Sequence, residues 1–257
     1  MEEFIIGIVA LFASALTFFS GFGLGTILLP VFAIFFPIDL AVALTAIVHF
    51  LNNIFKLFLT VKNLDKDILL KFGLPSIVAA FIGALLLNYL SHLQPLFSWN
   101  YSGKTFEVTP IKLIIALLLM FFALFDIIPK LKNLQFSKKY LPIGGLISGF
   151  FGGLSGHQGA LRSAFLIRAG LPKETFIATG IAIACLIDIT RLSVYSKNIL
   201  SVKDTIDWKL VLLATLSAFI GAFFGNKFLK KITIDSVQMI VSVALIIFAV
   251  FLGLGII

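Results

Sequence analysis

Gly153-Leu-Ser-Gly-His-Gln-Gly-Ala-Leu-Arg-Ser-Ala-Phe-Leu-Ile-Arg168 is the stretch that decides the fold. It places glycines, a histidine, a glutamine and two arginines between long apolar runs. Glycine in the interior of a helix lowers the stability of that helix, so a helix is most easily interrupted here. Polar and charged side chains inside lipid are costly and usually have a function. The stretch therefore predicts an interrupted membrane helix and a functional site at the same place.

The composition indicates an integral membrane protein. Of the 257 residues, 60% are hydrophobic and 12% are charged, whereas soluble domains are about 25% charged. Apolar runs of about 17–25 residues can span the hydrocarbon layer as helices. Eight apolar blocks fill the chain: Phe4 to Phe36, Ile38 to Val61, Phe72 to Leu90, Ile111 to Ile128, Leu141 to Leu171, Thr175 to Tyr195, Trp208 to Phe228 and Val237 to Ile257.

The first and fifth blocks are too long for single helices. Each exceeds 30 residues, or roughly 45–50 Å of straight helix, against a bilayer core of about 30 Å. Both have glycines near the middle, in Ser20-Gly-Phe-Gly-Leu-Gly25 and Ser155-Gly-His-Gln-Gly159. We expect two broken helices, although glycines in membrane helices also serve close packing.

The two long blocks begin an internal repeat. A shift of 135 residues aligns Ser20-Gly21 with Ser155-Gly156 and Pro37 with Pro172. It also aligns Asp39 with Glu174, Asn53 with Asp188, and Lys56 with Arg191. At a shift of 138 residues, Ala80-Phe-Ile-Gly-Ala84 recurs as Ala218-Phe-Ile-Gly-Ala222. We therefore expect one membrane domain over residues 1–257, with repeat one at 1–129 and repeat two at 141–257.

Loop charges favour inverted repeats. Five crossings per half invert the second repeat, whereas four crossings with a re-entrant arm leave the repeats parallel. Five crossings put 13 Lys and Arg on one side and 5 on the other, while four divide them 11 to 7. Because cytoplasmic loops are rich in Lys and Arg, we expect inverted halves with both termini outside. The predicted fold class is all-α, a polytopic membrane helix bundle of two homologous inverted repeats, each starting with a broken helix pair.

Arg162 is the principal candidate for binding a substrate. An arginine at the centre of a membrane helix costs about 2.5–3.5 kcal/mol on insertion scales, so it usually faces a cavity or a partner. The equivalent position in the first repeat is Ile27, so a charge here is not a structural requirement that the two repeats share. The substrate-binding candidates are Arg162, His157, Gln158, Arg191, Asp188, Asn52, Asn53, Lys56, Gly23, Gly25 and Thr26.

Several of these residues also allow a structural interpretation. Asp188 and Arg191 are three residues apart on one helix face, so they can form an internal ion pair. His49, on the same face as Asn52, is more typical of a hydrogen-bonded packing histidine. His157 lies within the break itself, which favours a functional role. Arg168 lies near the end of its arm and can reach the interface as a snorkelling arginine.

Other functions are disfavoured by the sequence. Gly153-Leu-Ser-Gly156 matches the Gly-x-Ser-Gly of rhomboid proteases, but the serine recurs as Ser20, and a catalytic serine has no cause to be duplicated. Cys185 is the single cysteine, so an intrachain disulfide is excluded and a Cys-based metal site is disfavoured. Basic loops report orientation rather than nucleic acid. The start of the chain lacks the features of a removable signal peptide. We expect no enzyme activity, cofactor or bound metal.

The chain resembles the TauE/SafE family, also called the sulfite exporter family. The resemblance rests on Gly21-Phe-Gly-Leu-Gly-Thr-Ile-Leu-Leu-Pro30 and on Gly152-Gly-Leu-Ser-Gly-His-Gln-Gly-Ala-Leu-Arg162. It covers essentially the whole chain and implies transport of sulfite, sulfoacetate or other sulfonates across a bacterial cytoplasmic membrane. Phe165 stands at the repeat position of Pro30, where the family usually has a proline.

The sequence leaves three function classes open. The first is a secondary transporter that moves a small anion, sulfite or an organosulfonate such as sulfoacetate, through a midplane site between the repeats, where helix N-termini and basic side chains attract it. The second is a proton- or cation-coupled carrier in which Asp188, His157 and His49 bind the ion and the arginines are structural. The third is a membrane scaffold. The expected partners are a small anionic substrate and the lipid bilayer, with a homodimer left open.

Overall fold

A computed structural model describes residues 2–20, 23–228 and 234–257. It is 81% helical, which confirms the predicted all-α membrane bundle. Within the described ranges, five helices are long and apolar enough to cross a membrane by length and composition: Ile38–Asn63, Lys66–Ser91, Pro110–Ile127, Lys173–Ser201 and Trp208–Lys227. Shorter apolar helices cover Glu3–Thr17, Leu24–Phe35 and Gln238–Gly253.

The first half begins with a helix that is interrupted, as predicted. Two later helices of this half begin at capping side chains. Asp65 Oδ1 accepts a hydrogen bond from Ile68 N at 2.9 Å at the start of the helix Lys66–Ser91, and Thr109 Oγ1 accepts one from Lys112 N at the start of Pro110–Ile127. The helices are α1 (Glu2–Ser20), α2 (Leu24–Phe35), α3 (Ile38–Thr60), α4 (Lys66–Ser91), α5 (Pro110–Ile127) and α6 (Pro129–Lys132), with a 3₁₀ turn at Val61–Asn63. Gly21, in the first break, lies outside the described residues.

The second half repeats this arrangement. Its interruption follows Ser155, where Gly156 adopts a left-handed conformation with φ of 82° and its N–H donates to Gly152 O at 2.9 Å. The helices are α7 (Leu141–Ser155), α8 (Gly159–Leu166), α9 (Lys173–Ser201), α10 (Trp208–Phe228) and α11 (Ile234–Gly253), with 3₁₀ turns at Lys138–Tyr140 and Ile167–Ala169.

A small hairpin joins α4 to α5 and was not predicted. Its antiparallel strands are β1 (Phe97–Tyr101) and β2 (Lys104–Val108). Ser102 and Gly103, between the strands, both have positive φ angles, as a two-residue hairpin turn requires. Trp99 Nε1 donates to Leu254 O at 2.8 Å. The hairpin is thereby attached to the end of the chain.

Glycines form a close seam between α4 and α7. A Cβ added to Gly145 would lie 2.2 Å from Phe72 O, and one added to Gly153 would lie 2.0 Å from Ala80 O. Small residues let membrane helices approach this closely. Because the contact moves from Phe72 to Ala80 as α7 advances from Gly145 to Gly153, the two helices run in the same direction. The second break therefore lies beside the middle of α4.

Contacts between repeat-equivalent helices show that the halves are inverted. In α3 and α9, His49 lies next to Asp188, whereas the backbone N–H of Asp65, just after α3, donates to Thr179 Oγ1 near the start of α9. The two helices are therefore antiparallel. Gly253 of α11 packs on Ala116 of α5, while Gln238 shares a cavity wall with Phe125 and Asp126, so this pair is antiparallel as well. Equivalent helices that run in opposite directions exclude the parallel arrangement.

The bundle thus has two distinct ends. One end, which we call the basic side, contains the end of α3, the segment between α5 and α7, and the segment between α8 and α9. The hairpin and the start of α3 lie at the other end, the hairpin side. The helix directions agree with inverted halves, but α8 has only 8 residues and is too short to cross the membrane, so the broken pair does not supply the two crossings that we expected. The division of the basic residues 13 to 5 between the two ends stays a prediction from the sequence. That the basic side faces the cytoplasm stays a prediction from the positive-inside rule.

Candidate functional site

The second break brings α8 against the centre of the bundle. Left-handed Gly156 faces α9, where a Cβ on this residue would lie 2.6 Å from Arg191 Nη1. Beyond the break, α8 returns toward the basic side, because Phe136 N donates to Ala164 O at 3.1 Å. The N-terminus of α8 is therefore in the interior, where first-turn N–H groups and the helix dipole favour negative charge.

The starts of α2 and α8 lie next to each other. Gly23 and Thr26 of the first half line a cavity of about 10 Å³ together with His157 and Gly159 of the second half. A Cβ on Gly23 would lie 3.8 Å from His49 Nε2 in the middle of α3. The described part of the first break is therefore adjacent to the second break, at the height of the middle of α3.

Asp188 is the centre of a buried polar cluster. Its Oδ1 accepts hydrogen bonds from Arg191 Nε at 3.0 Å and Arg191 Nη2 at 2.8 Å. Its Oδ2 lies 2.6 Å from His49 Nδ1 and accepts a bond from Asn53 Nδ2 at 3.3 Å. Asp188 is 0% exposed and Arg191 is 1% exposed. The predicted internal pair of Asp188 and Arg191 is present, and His49 and Asn53 join it from the other repeat.

A cavity of about 50 Å³ extends from this cluster toward the basic side. Its inner end is formed by the polar side chains His49 and Asn53, and its outer end includes Phe176 and Ile177 in the first turns of α9. The remaining lining residues are Thr17, Gly23, Leu24, Lys56, Arg162, Ser163, Leu166, Gly180, Ile181 and Ala184. The cavity therefore joins a helix N-terminus, that of α2, with two basic side chains.

Arg162 enters this cavity from α8. Its Nη1 donates to Gln158 Oε1 at 3.3 Å, and Gly180 leaves room for its side chain, since a Cβ there would lie 3.4 Å from Arg162 Nε. Within the described parts of the chain, the ion pairs within 4.0 Å do not include Arg162. Arg191, by contrast, is neutralised by Asp188. Arg162 is therefore not neutralised by a direct ion pair in the described chain, although Asp188 lies close enough to interact with it electrostatically.

Lys56 is the second basic side chain of the cavity wall. It is buried, at 4% exposed, in the last third of α3. When the Asn52 amide is oriented to satisfy both its groups, its oxygen lies 3.3 Å from Lys56 Nζ and its nitrogen donates to Ala218 O at 3.1 Å. Asn52 thus supports Lys56 from behind rather than lining the cavity.

The predicted site residues divide into three groups in the structure. Gly23, Asn53, Lys56 and Arg162 line the cavity of about 50 Å³. Asp188, Arg191, Asn52 and Gln158 lie behind its wall and hold the side chains that line it. Gly25 packs on Thr45 and His49, while Thr26 and His157 line the neighbouring cavity of about 10 Å³.

His49 was interpreted as a hydrogen-bonded packing histidine, and the structure shows it buried and in contact with Asp188 across 139 residues of sequence. It also lines the cavity, which the sequence did not indicate. Ser163 and Thr17 were also missed. Ser163 directly follows Arg162, and Thr17 lies just before the first glycine break, so proximity to both breaks was the available signal.

A second cavity, of about 260 Å³, lies on the hairpin side. Its wall includes Pro37 and Asp39 at the start of α3 and Asn198 near the end of α9. Tyr195 also lines it and donates a hydrogen bond to Gly153 O. Tyr195 and the pair of Asp188 and Arg191 therefore lie between this cavity and the one that contains Arg162.

Inverted repeats, paired helix breaks and a basic cavity at mid-height are features that many membrane transporters share. The chain belongs to the TauE/SafE sulfite exporter family, because the family model described as Sulfite exporter TauE/SafE matches residues 6–252. The recognition made from the two glycine-rich segments is thereby confirmed. A search of curated proteins and a search of solved structures each return no match.

Proposed function

We propose that this protein is a secondary transporter of a small oxyanion, sulfite or an organosulfonate such as sulfoacetate, in a bacterial cytoplasmic membrane. The observation that carries the proposal is the cavity in which Arg162, which forms no ion pair within 4.0 Å in the described chain, lies beside the N-terminus of α2. Family membership supports the anionic substrate class.

The chemistry of the cavity suits a sulfur oxyanion. The planar guanidinium of Arg162 can donate to two oxygens at once, and the first N–H groups of α2, at Leu24 and Gly25, have no acceptor within their own helix and can donate to a third. Lys56 adds a further N–H donor group from α3. An anion bound here neutralises charge that is otherwise costly inside the membrane.

The size of the cavity favours the smaller substrate. A volume of about 50 Å³ holds a few water-sized groups, at roughly 10–15 Å³ each. Sulfite, with one sulfur and three oxygens, fits this volume without rearrangement. A sulfonate with a carboxymethyl group needs the cavity to extend past Phe176 toward the basic side.

The arrangement supports a carrier rather than a channel. The Arg162 cavity and the hairpin-side cavity are separated by Tyr195 and by the pair of Asp188 and Arg191. A substrate that crosses must therefore pass a barrier of packed and hydrogen-bonded groups. Alternating access by movement of one repeat against the other provides that passage.

Sulfite binding to purified Arg162 variants tests the proposal. We expect Arg162→Lys to bind about tenfold more weakly and Arg162→Ala more weakly still, because hydrogen bonds to a charged partner contribute about 1.5–3 kcal/mol each. Arg168→Ala is the matched control, since Arg168 is exposed and bonds to Gln135 Oε1, and it should bind sulfite like the parent. Calorimetric titration gives the affinities.

Equal sulfite affinity in Arg162→Ala and in the parent would refute the anion site. The cation carrier, with Asp188 and His49 as ligands, would then be favoured. In either case monodispersity in detergent establishes that each variant is folded before the titration.

A further inference from the structure

A separate series of small cavities approaches His157 from the basic side. The cavity of about 10 Å³ beside the two helix breaks is lined by His157, Thr26 and Asp126, among others. A neighbouring cavity of about 160 Å³ shares Asp126 and Ala160 with it and extends to Asn133 and Gln135 in the segment after α6. Asp126 therefore stands between the basic side and His157. Arg162 lines neither of these cavities.

His157 has one ring nitrogen available. Its Nδ1 lies 3.1 Å from Ser155 O and 3.2 Å from Ser155 Oγ, and its ring stacks on Phe122 with centroids 5.6 Å apart. Its Nε2 has no hydrogen-bond partner among the described protein groups, although the residue is only 3% exposed. A fixed ring with one unpaired nitrogen, bordering a cavity of this size, is suited to exchange a proton.

The outer cavity also has polar walls. Gln238 Oε1, on α11, is buried and lacks a partner within the described chain, and it lines the same cavity as Asp126 and Gln135. Water in such a cavity would find several hydrogen-bonding groups, as ordered water requires. The inner cavity of about 10 Å³ is near the lower limit for one water.

We propose that Asp126 and His157 form a proton pathway that couples transport to the pH gradient and is separate from the anion cavity. A proton from solution on the basic side binds the carboxylate of Asp126, then passes through one water to His157 Nε2, which becomes an imidazolium. The proton leaves by the reverse transfer or to the opposite side after the conformational change. The inference rests on the proposed anion transport.

The charged neighbours of His157 explain why its protonation would be felt at the anion site. The titratable groups around it are His49 on α3, Asp126 on α5, Arg162 on α8, and Asp188 and Arg191 on α9. Asp126 itself is faced by Lys132 of α6, which lines the same outer cavity. Gln158, the next residue, accepts from Arg162 Nη1 at 3.3 Å. A positive charge on His157 would therefore stand one residue from the group that holds the Arg162 side chain.

Sulfite uptake into proteoliposomes, with and without an imposed pH gradient, tests the pathway. We expect a gradient of about one pH unit to raise sulfite accumulation about tenfold in the parent, which is the ratio expected when one proton is coupled to each sulfite. Asp126→Asn and His157→Gln should each lose this response, while Asp126→Asn keeps sulfite exchange at equal pH. Asp67→Asn is the matched control, because Asp67 is an exposed acid on the basic side. Protein-free liposomes correct for passive permeation.

Retention of the gradient response in Asp126→Asn, or its absence in the parent, would overturn the pathway. Failure of the proposed function looks different, because the parent would then neither bind nor exchange sulfite. Calorimetric binding of sulfite to Asp126→Asn in detergent, at the affinity of the parent, shows that the anion site is intact, so a lost gradient response in this variant reports coupling rather than misfolding.

Discussion

Gly156→Ala should destabilise the protein through two effects that a second glycine separates. At Gly156 the φ of 82° is left-handed, a conformation that costs a residue with a Cβ about 1–2 kcal/mol. The added Cβ would also lie 2.6 Å from Arg191 Nη1. The guanidinium cannot retreat freely, because its Nε and Nη2 both donate to Asp188 Oδ1.

The second effect is the contact of the added Cβ with Arg191, and its size can be estimated. Displacing the guanidinium loses at least one hydrogen bond to a charged partner, at about 1.5–3 kcal/mol. Added to the backbone strain, the expected loss in the free energy of unfolding is about 3–5 kcal/mol. Gly170→Ala is the control, because Gly170 has a φ of 75° with nothing within 4 Å of its added Cβ in the described structure. It should lose about 1–2 kcal/mol.

Equilibrium unfolding in mixed micelles titrated with SDS measures both variants against the parent. The comparison isolates the contact with Arg191, since both variants share the backbone conformation. Equal destabilisation by Gly156→Ala and Gly170→Ala would refute the reasoning that the break is packed against the ion pair.

Three further outcomes follow from the structure. Gly153→Ala should separate α4 from α7 and destabilise the protein by about 1–3 kcal/mol, since its Cβ would lie 2.0 Å from Ala80 O. Gly253→Ala is the control, because its nearest contact lies at 3.4 Å, and it should be nearly neutral in the same SDS titration. Asp188→Asn should cost about 3–5 kcal/mol by leaving Arg191 buried without its charge partner, while changing sulfite affinity less than Arg162→Ala does; a larger effect on affinity than on stability would make Asp188 a ligand. A cysteine at position 137, in Ser137→Cys, should react with membrane-impermeant reagent in opened cells and not in intact ones, and labelling from outside would reverse the predicted orientation.

The sequence was most informative about features that repeat. The two glycine breaks predicted the interruptions before Leu24 and after Ser155, because an over-long apolar block must break where a helix is weakest. The hairpin was not predicted, even though Ser102-Gly103 is a turn signal. The prediction rested on long apolar runs, and the hairpin is a short segment that connects two of them. Its attachment through Trp99 to Leu254 is a contact between distant segments.

The candidate site was harder to predict, because it depends on which faces of the helices meet. The spacing of Asp188 and Arg191 placed them on one face, and they do pair. Nothing in the local sequence of α3 indicates that His49 approaches Asp188, because the antiparallel crossing of α3 and α9 determines that contact. For the same reason Asp126, at the end of α5, gave no sign that it borders His157.

Asn53 and Asp188 occupy the same place in the two repeats, and they hydrogen-bond to each other. Two points exchanged by a twofold rotation can touch only if both lie close to the rotation axis, so this contact marks where the axis of the inverted halves passes. If the halves trade conformations to expose the opposite side, points on the axis keep their positions. The cluster around Asp188 would then act as a stationary pivot. The α4–α7 pair and the α1–α10 pair, in which a Cβ on Gly221 would lie 2.1 Å from Leu11 O, would swing about it as two rigid arms.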